Sequence, residues 1–199
     1  MFSYLLLLFA LLTAVFAQSG LPDIGTEYPL SMLAKQVPVR IRTELVSVDF
    51  SGSLKIRVEE NPNDKVNSVL LKVDGFHMNA TLPGKDGSSS GGTIAIEQND
   101  VDVDPKSTLK LTHNNPPKYE NILELSFTMT IKQPDLMLRK RELLELVTKD
   151  PAKLIGSLTQ FPPKGKLYQL QNPVDLVSPD DPDTVIATIE KFPVNVGGL

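Results

Sequence analysis

The stretch VLLKVDGFHMNATL, residues 69–82, decides the fold class. Asp74-Gly75 is a preferred pair for a two-residue type I′ turn, because both central positions need positive φ. Pairing outward from it sets Val73 opposite Phe76, Leu71 opposite Met78 and Val69 opposite Ala80 on one face. Lys72, His77 and Asn79 fall on the other face. An apolar and a polar face at a period of two predict an antiparallel hairpin packed on one side.

The same period extends both ways. Upstream, Val37, Val39 and Ile41 alternate with polar neighbours, and the phase then shifts to Val46, Val48 and Phe50. That shift predicts a bulge near Leu45. Leu54, Ile56 and Val58 continue the alternation, and a Ser51-Gly52-Ser53 turn would pair Phe50 with Leu54 and Asp49 with Lys55. Downstream, the Gly/Ser-rich residues 83–92 read as a loop, followed by short strand candidates at 93–97, 101–103 and 108–112. Leu123, Leu125, Phe127, Met129 and Ile131 then mark a long strand with one apolar face. Strands at such short spacing imply an antiparallel β-sandwich or barrel of about seven to eight strands.

Beyond Pro134 the period changes. Asp135 suits an N-cap, and Leu136, Leu143, Leu144 and Val147 recur at helical spacing up to Asp150-Pro151. One C-terminal helix is therefore expected, followed by an irregular Pro-rich tail. That tail holds a short strand or turn at 166–170 and a run at 184–192 that suits strand or helix.

The N-terminus carries an address. Residues 5–16, LLLLFALLTAVF, form an apolar run that ends in Val15-Phe16-Ala17 and polar Gln18. This is the pattern of a secretory signal peptide cleaved after Ala17, and the run is shorter than the ~18–20 residues of a bilayer span. The expected organisation is a signal peptide over 1–17 and an irregular arm over 18–36. An antiparallel β domain over 37–132 follows, with a helix and Pro-rich tail over 133–199 packed on it. A secreted, extracellular protein with no membrane span after cleavage is expected.

Composition narrows the function. Twenty Lys+Arg against 24 Asp+Glu give a net charge of -4, which disfavours a nucleic-acid binder. The absence of cysteine excludes disulfides, thiolate metal sites and thiol catalysis. No stretch carries a family motif; the Gly-x-Trp signature of lipocalins, for instance, is impossible in a chain without Trp.

Few residues suggest chemistry. Asn79-Ala80-Thr81 is an N-glycosylation sequon, placed on the polar face of the predicted hairpin. Asp100, Asp102 and Asp104, with Glu97 and Asn99 before them, offer a weak calcium candidate, because calcium takes six to eight oxygens. The EF-hand glycine and glutamate are missing, with Pro105 and Leu111 at those places. Gly87-Ser88-Ser89-Ser90-Gly91 matches the hydrolase pattern G-x-S-x-G, but in a Gly/Ser loop instead of a strand–turn–helix. His77 and His113 show no metal-ligand spacing, and Lys140-Arg141 is a dibasic pair within the predicted helix.

No cofactor and no metal are expected. The sequence points to a non-catalytic extracellular binding or structural module with an extracellular protein as partner. The alternative is a carrier of a small hydrophobic ligand, and a secreted hydrolase is the second alternative.

Overall fold

A computed structural model describes residues 20–84, 91–99, 106–132 and 143–198. Its architecture is all-β, one antiparallel sheet of thirteen strands. Three are long and continuous: β1 (Glu27–Ile41), β2 (Glu44–Glu60) and β3 (Ser68–Leu82). The others are shorter: β4 (Gly92–Gln98), β5 (Thr108–Asn114), β6 (Pro117–Leu125), β7 (Phe127–Lys132), β8 (Leu143–Thr148), β9 (Ala152–Leu158), β10 (Lys166–Leu170), β11 (Val174–Ser178), β12 (Asp181–Ile189) and β13 (Val194–Gly198).

The pairings make these segments the staves of one barrel. The two halves of β3 pair with β4 and with β5, so β4 and β5 are upper and lower parts of a single stave. In the same way β7 and β6 pair with β8 and β9, and those with β11 and β10. The last stave, β12 with β13, returns to β1 through Val39↔Ile189 above and Met32↔Val196 below. The sheet thus closes into an up-and-down barrel of eight staves, five of them interrupted at mid-height. Closure removes the unpaired edges that an open sheet exposes.

Alternation along each stave builds the interior. Leu30, Met32 and Ala34 of β1, Phe50, Leu54 and Ile56 of β2, and Met78 of β3 are all buried at 2 % exposure or less. The interior forms one continuous hydrophobic cluster spanning both halves of the barrel.

Several sequence expectations need correction. There are thirteen strands, not seven or eight, and no helix occurs among the described residues. Leu143, Leu144 and Val147 lie on strand β8, where Leu144 and Leu146 pack inward; 133–142, including Asp135 and Leu136, lie outside the described residues. The run Leu143–Val147 holds a helical spacing (Leu143 with Leu146 and Val147) and an extended one (Leu144 with Leu146), and the partner strands β7 and β11 select the strand. Residues 27–36 are strand instead of irregular arm, and the tail supplies strands β8–β13 to the barrel instead of packing against a separate β domain.

The predicted Asp74-Gly75 hairpin is a bulge inside β3. Lys55 pairs with Gly75 and Ile56 with Val73, leaving Asp74 as the extra residue. A bulge shifts the inward phase by one residue, as a two-residue turn does, so both place Val73 and Phe76 on the same face. The Ser51-Gly52-Ser53 turn is likewise continuous strand, with Gly52 in the inward row between Phe50 and Leu54. The phase shift between Ile41 and Val46 comes from a two-residue turn at Arg42-Thr43, with Arg42 at φ 55°. The bulge expected near Leu45 sits in β1 instead, between Ala34 and Val37. There Gln36 has φ 53° and its N–H donates to Asp49 Oδ1 at 2.7 Å.

Candidate functional site: the barrel interior

Apolar side chains from both sides of the stave interruptions meet at mid-height. Leu125 and Phe127 flank the break at Ser126, Leu170 and Val174 flank residues 171–173, and Ile189 and Phe192 border the step from β12 to β13. With Phe76, Ile96, Ala152 and Leu154 they enclose a void lined by apolar atoms alone, with room for about one water molecule. Two edge-to-face aromatic pairs frame it, Phe76–Phe127 at 6.0 Å and Phe50–Phe192 at 5.8 Å between centroids.

The ladder is thinnest at this level, where single bonds replace continuous pairing. Asn99 N–H donates to Ser126 O at 3.1 Å, Lys149 N–H to Asp175 O at 2.9 Å, Gln171 N–H to Lys153 O at 2.8 Å and Glu190 N–H to Pro38 O at 3.2 Å.

Below the void lies one polar pair. Tyr168 is fully buried and donates its hydroxyl to Asn121 Oδ1 at 2.6 Å, while Asn121 Nδ2 donates to Thr108 O at 2.7 Å. The tyrosine ring occupies the space beside Gly156, where a Cβ would stand 2.6 Å from it. Burial pushes the Tyr168 hydroxyl well above the ordinary tyrosine range. Among the described residues every buried side-chain nitrogen and oxygen has a partner.

This pair sets a pH-dependent prediction. A hydroxyl that is harder to ionise when folded contributes stability below about pH 10, and that contribution is lost as pH rises and the unfolded tyrosine ionises. Tyr168→Phe is expected to lower stability by about 1–3 kcal/mol at neutral pH, because it leaves Asn121 Oδ1 unpartnered. It should also flatten the loss of stability above about pH 10. Urea midpoints across that range check both, and a variant as alkali-sensitive as the parent would refute the assignment.

The two ends of the barrel differ. At the lower end the arm 20–26 crosses the opening, tied by Gly25 N–H to Val58 O at 2.8 Å and by Val58 N–H to Thr26 O at 2.9 Å. Tyr119 donates its hydroxyl to Gly20 O, Leu21 packs on the core, and Tyr28 stacks edge-on against Phe161 at 5.1 Å. At the upper end Ile41, Val46, Leu144 and Ile186 touch the core but are only half-buried, and Leu45, Leu143 and Val185 are exposed.

The residues singled out from sequence are dispersed. Asn79 is exposed on the outer wall, between register partners Ser51 and Ala95. His77 is exposed two residues away, with Nδ1 3.4 Å from Ser53 Oγ and Glu97 as its register partner on β4. This Ser–His–Glu row faces solvent on the outer wall. His113 is exposed on β5, near the lower end. Asn99 accepts from Thr128 Oγ1 at 3.1 Å.

Asp100, Asp102, Asp104, the serines 88–90, Lys140-Arg141 and Ala17 lie outside the described residues. Among the described residues no group of three His, Asp or Glu is placed to hold a metal ion. No helix there is long and apolar enough to cross a membrane. Sequence reasoning missed Tyr168, Asn121 and Phe192. The available signal was Gly156, a glycine inside a strand that marks a close approach by another group.

No protein-family model matches the chain, and no curated protein matches it in sequence. Among solved structures it is similar to DynF from the dynemicin biosynthesis pathway of Micromonospora chersina. The identity is 15 %, the TM-score is 0.60, and the match covers 89 % of this chain and 82 % of that one. At that identity the likeness is one of fold.

Proposed function

We propose that the protein is a secreted, non-catalytic carrier of a small hydrophobic ligand, held inside the barrel. The observation that carries this reading is the void at mid-height, lined by apolar atoms alone inside a closed eight-stave wall. Eight-stranded barrels have an interior of the size that either fills with side chains or holds one small ligand. Closure supports the carrier over a module that recruits a strand, since a closed sheet offers no edge for one. A ligand larger than water requires rings at the waist to swing aside. Phe192, at the stave break next to the void, is the ring best placed to do so. Entry is assigned to the upper end, because the inward side chains there are half-buried while the arm crosses the lower end.

The test is native mass spectrometry of the secreted protein, compared with its denatured mass. The expected result is an extra small-molecule mass that survives gentle ionisation and disappears on denaturation. A bare polypeptide, together with no uptake of an added lipophilic probe, would refute the carrier. The near-complete filling of the interior favours the second reading, an extracellular binding or structural module whose partner is a protein, and that result would leave it standing.

A further inference from the structure

We infer that Asn79 carries an N-linked glycan and that this glycan lies over the small side chains beside it on the outer wall; the inference rests on the protein entering the secretory pathway. Asn79-Ala80-Thr81 is the only N-x-Ser/Thr sequon in the chain after residue 17. Strand alternation sends Asn79 and Thr81 outward, where both are exposed, and turns Ala80 into the core at 6 % exposure. The carboxamide is thus presented to solvent from the middle of a paired strand, with the hydroxyl of the sequon on the same face.

The surroundings suit a sugar. The register partners of Asn79 are Ser51 and Ala95, two of the smallest side chains, and Thr81 pairs with Thr93. One strand further, Ala95 pairs with Thr130. Charged side chains stand one step further out on the same face, with Lys132 opposite Thr93, Glu145 opposite Thr130, and Glu97 two residues from Ala95. The lower part of the same wall is different: Glu27 pairs with Lys55 at 2.6 Å and with Arg57 at 2.8 Å, and Arg57 with Asp74 at 3.0 Å. The wall therefore changes from an ion-pair network below, through the Ser53–His77–Glu97 row, to small hydroxyl and methyl groups beside Asn79. A glycan resting on these side chains meets hydrogen-bonding hydroxyls and leaves the ion pairs of the lower wall solvated. Bulky, solubilising carbohydrate also closes this wall to protein docking.

In the modification the Asn79 carboxamide nitrogen attacks the anomeric carbon of a lipid-pyrophosphate-linked oligosaccharide. The N–C bond forms, the bond from that carbon to the pyrophosphate oxygen breaks, and the lipid pyrophosphate leaves. The amide loses one proton, and no oxidant or reductant is involved.

The experiment expresses the full chain in a eukaryotic secretory host and measures the intact mass before and after peptide-N-glycosidase. The expected result is loss of the glycan mass, leaving polypeptide 18–199 with Asn79 converted to Asp. Thr81→Ala should abolish the shift and Thr81→Ser should keep it, and the pair guards against a folding defect in Asn79→Gln. Secreted, leader-free protein without a mass shift overturns the glycan while leaving secretion intact. Protein that retains residues 1–17 and stays in the cell overturns both. For the position over the wall, modification of the exposed His77 by an imidazole-specific reagent should be slower before deglycosylation than after. Exposed His113, near the lower end, should react at the same rate in both samples. Equal His77 rates would place the glycan away from this wall.

Discussion

Gly52→Ala is expected to remove at least about 4 kcal/mol of stability, enough to leave an ordinary domain largely unfolded. Gly52 lies in the inward row of β2, where β3 crosses closely. A Cβ there would stand 2.0 Å from His77 O and 2.6 Å from Met78 Cα. Both are backbone atoms, so no rotamer change relieves the contact. The strands must separate, and the Phe50–Ala80 and Leu54–Phe76 pairings on either side loosen with them. Gly75→Ala is the control. A Cβ there meets nothing within 4 Å, and its φ lies outside the left-handed range, so the change should be neutral or stabilising by about 0.4–1 kcal/mol. Urea denaturation followed by far-UV circular dichroism compares the two. Equal midpoints for both variants would show that β2 and β3 do not approach as described.

Phe192→Ala is the second large effect, and it joins stability to function. The ring is 7 % exposed, stacks edge-on against Phe50 and borders the void. Truncating a buried Phe costs about 3–5 kcal/mol, part of it for the cavity left behind. Here that cavity opens onto a void already lined by apolar atoms. Dry apolar cavities of about 150 Å³ accept small apolar molecules. The variant is therefore expected to be less stable than the parent but to recover more on adding a hydrophobic ligand, by about 2.7 kcal/mol at a hundredfold excess over Kd. Thermal melts with and without a lipophilic probe test this. A loss under about 1 kcal/mol would show that the ring is not packed as described. A variant that stays unstabilised by the probe would argue against the interior as a ligand site.

The inward faces were readable because extended backbone alternates sides. Phe50, Leu54, Ile56 and Val58, or Phe127, Met129 and Ile131, point to the core whatever the strands pair with. What the strands do at Asp74-Gly75 was not readable from that stretch. A turn and a bulge both advance the phase by one residue, and only the pairing Lys55↔Gly75, with Ile56↔Val73 beyond it, selects the bulge. Leu144 and Leu146 became strand for a similar reason: their partners Ile131 and Met129 stand on β7, before the segment that read as helical.

The candidate site was less legible than the fold. Its aromatic frame joins Phe50 to Phe192 and Phe76 to Phe127, residues far apart in the chain with no local motif. Its buried polar pair joins Asn121 to Tyr168 across 47 positions. Asn79, by contrast, was marked by its own two neighbours, because a sequon is a local pattern.

By itself the sequence determined the mainly β character, the antiparallel alternation, the absence of disulfides and which side chains turn inward. These follow from side-chain chemistry at a period of two and need no partner. Closure was decided only in three dimensions. β1 meets β13 by pairing Met32 with Val196, and meets β12 by pairing Val39 with Ile189. Such contacts depend on the twist accumulated over every intervening stave and on the bulges that bend β1 and β3. The same long-range geometry aligns the five stave breaks at one level and so places the apolar void among them.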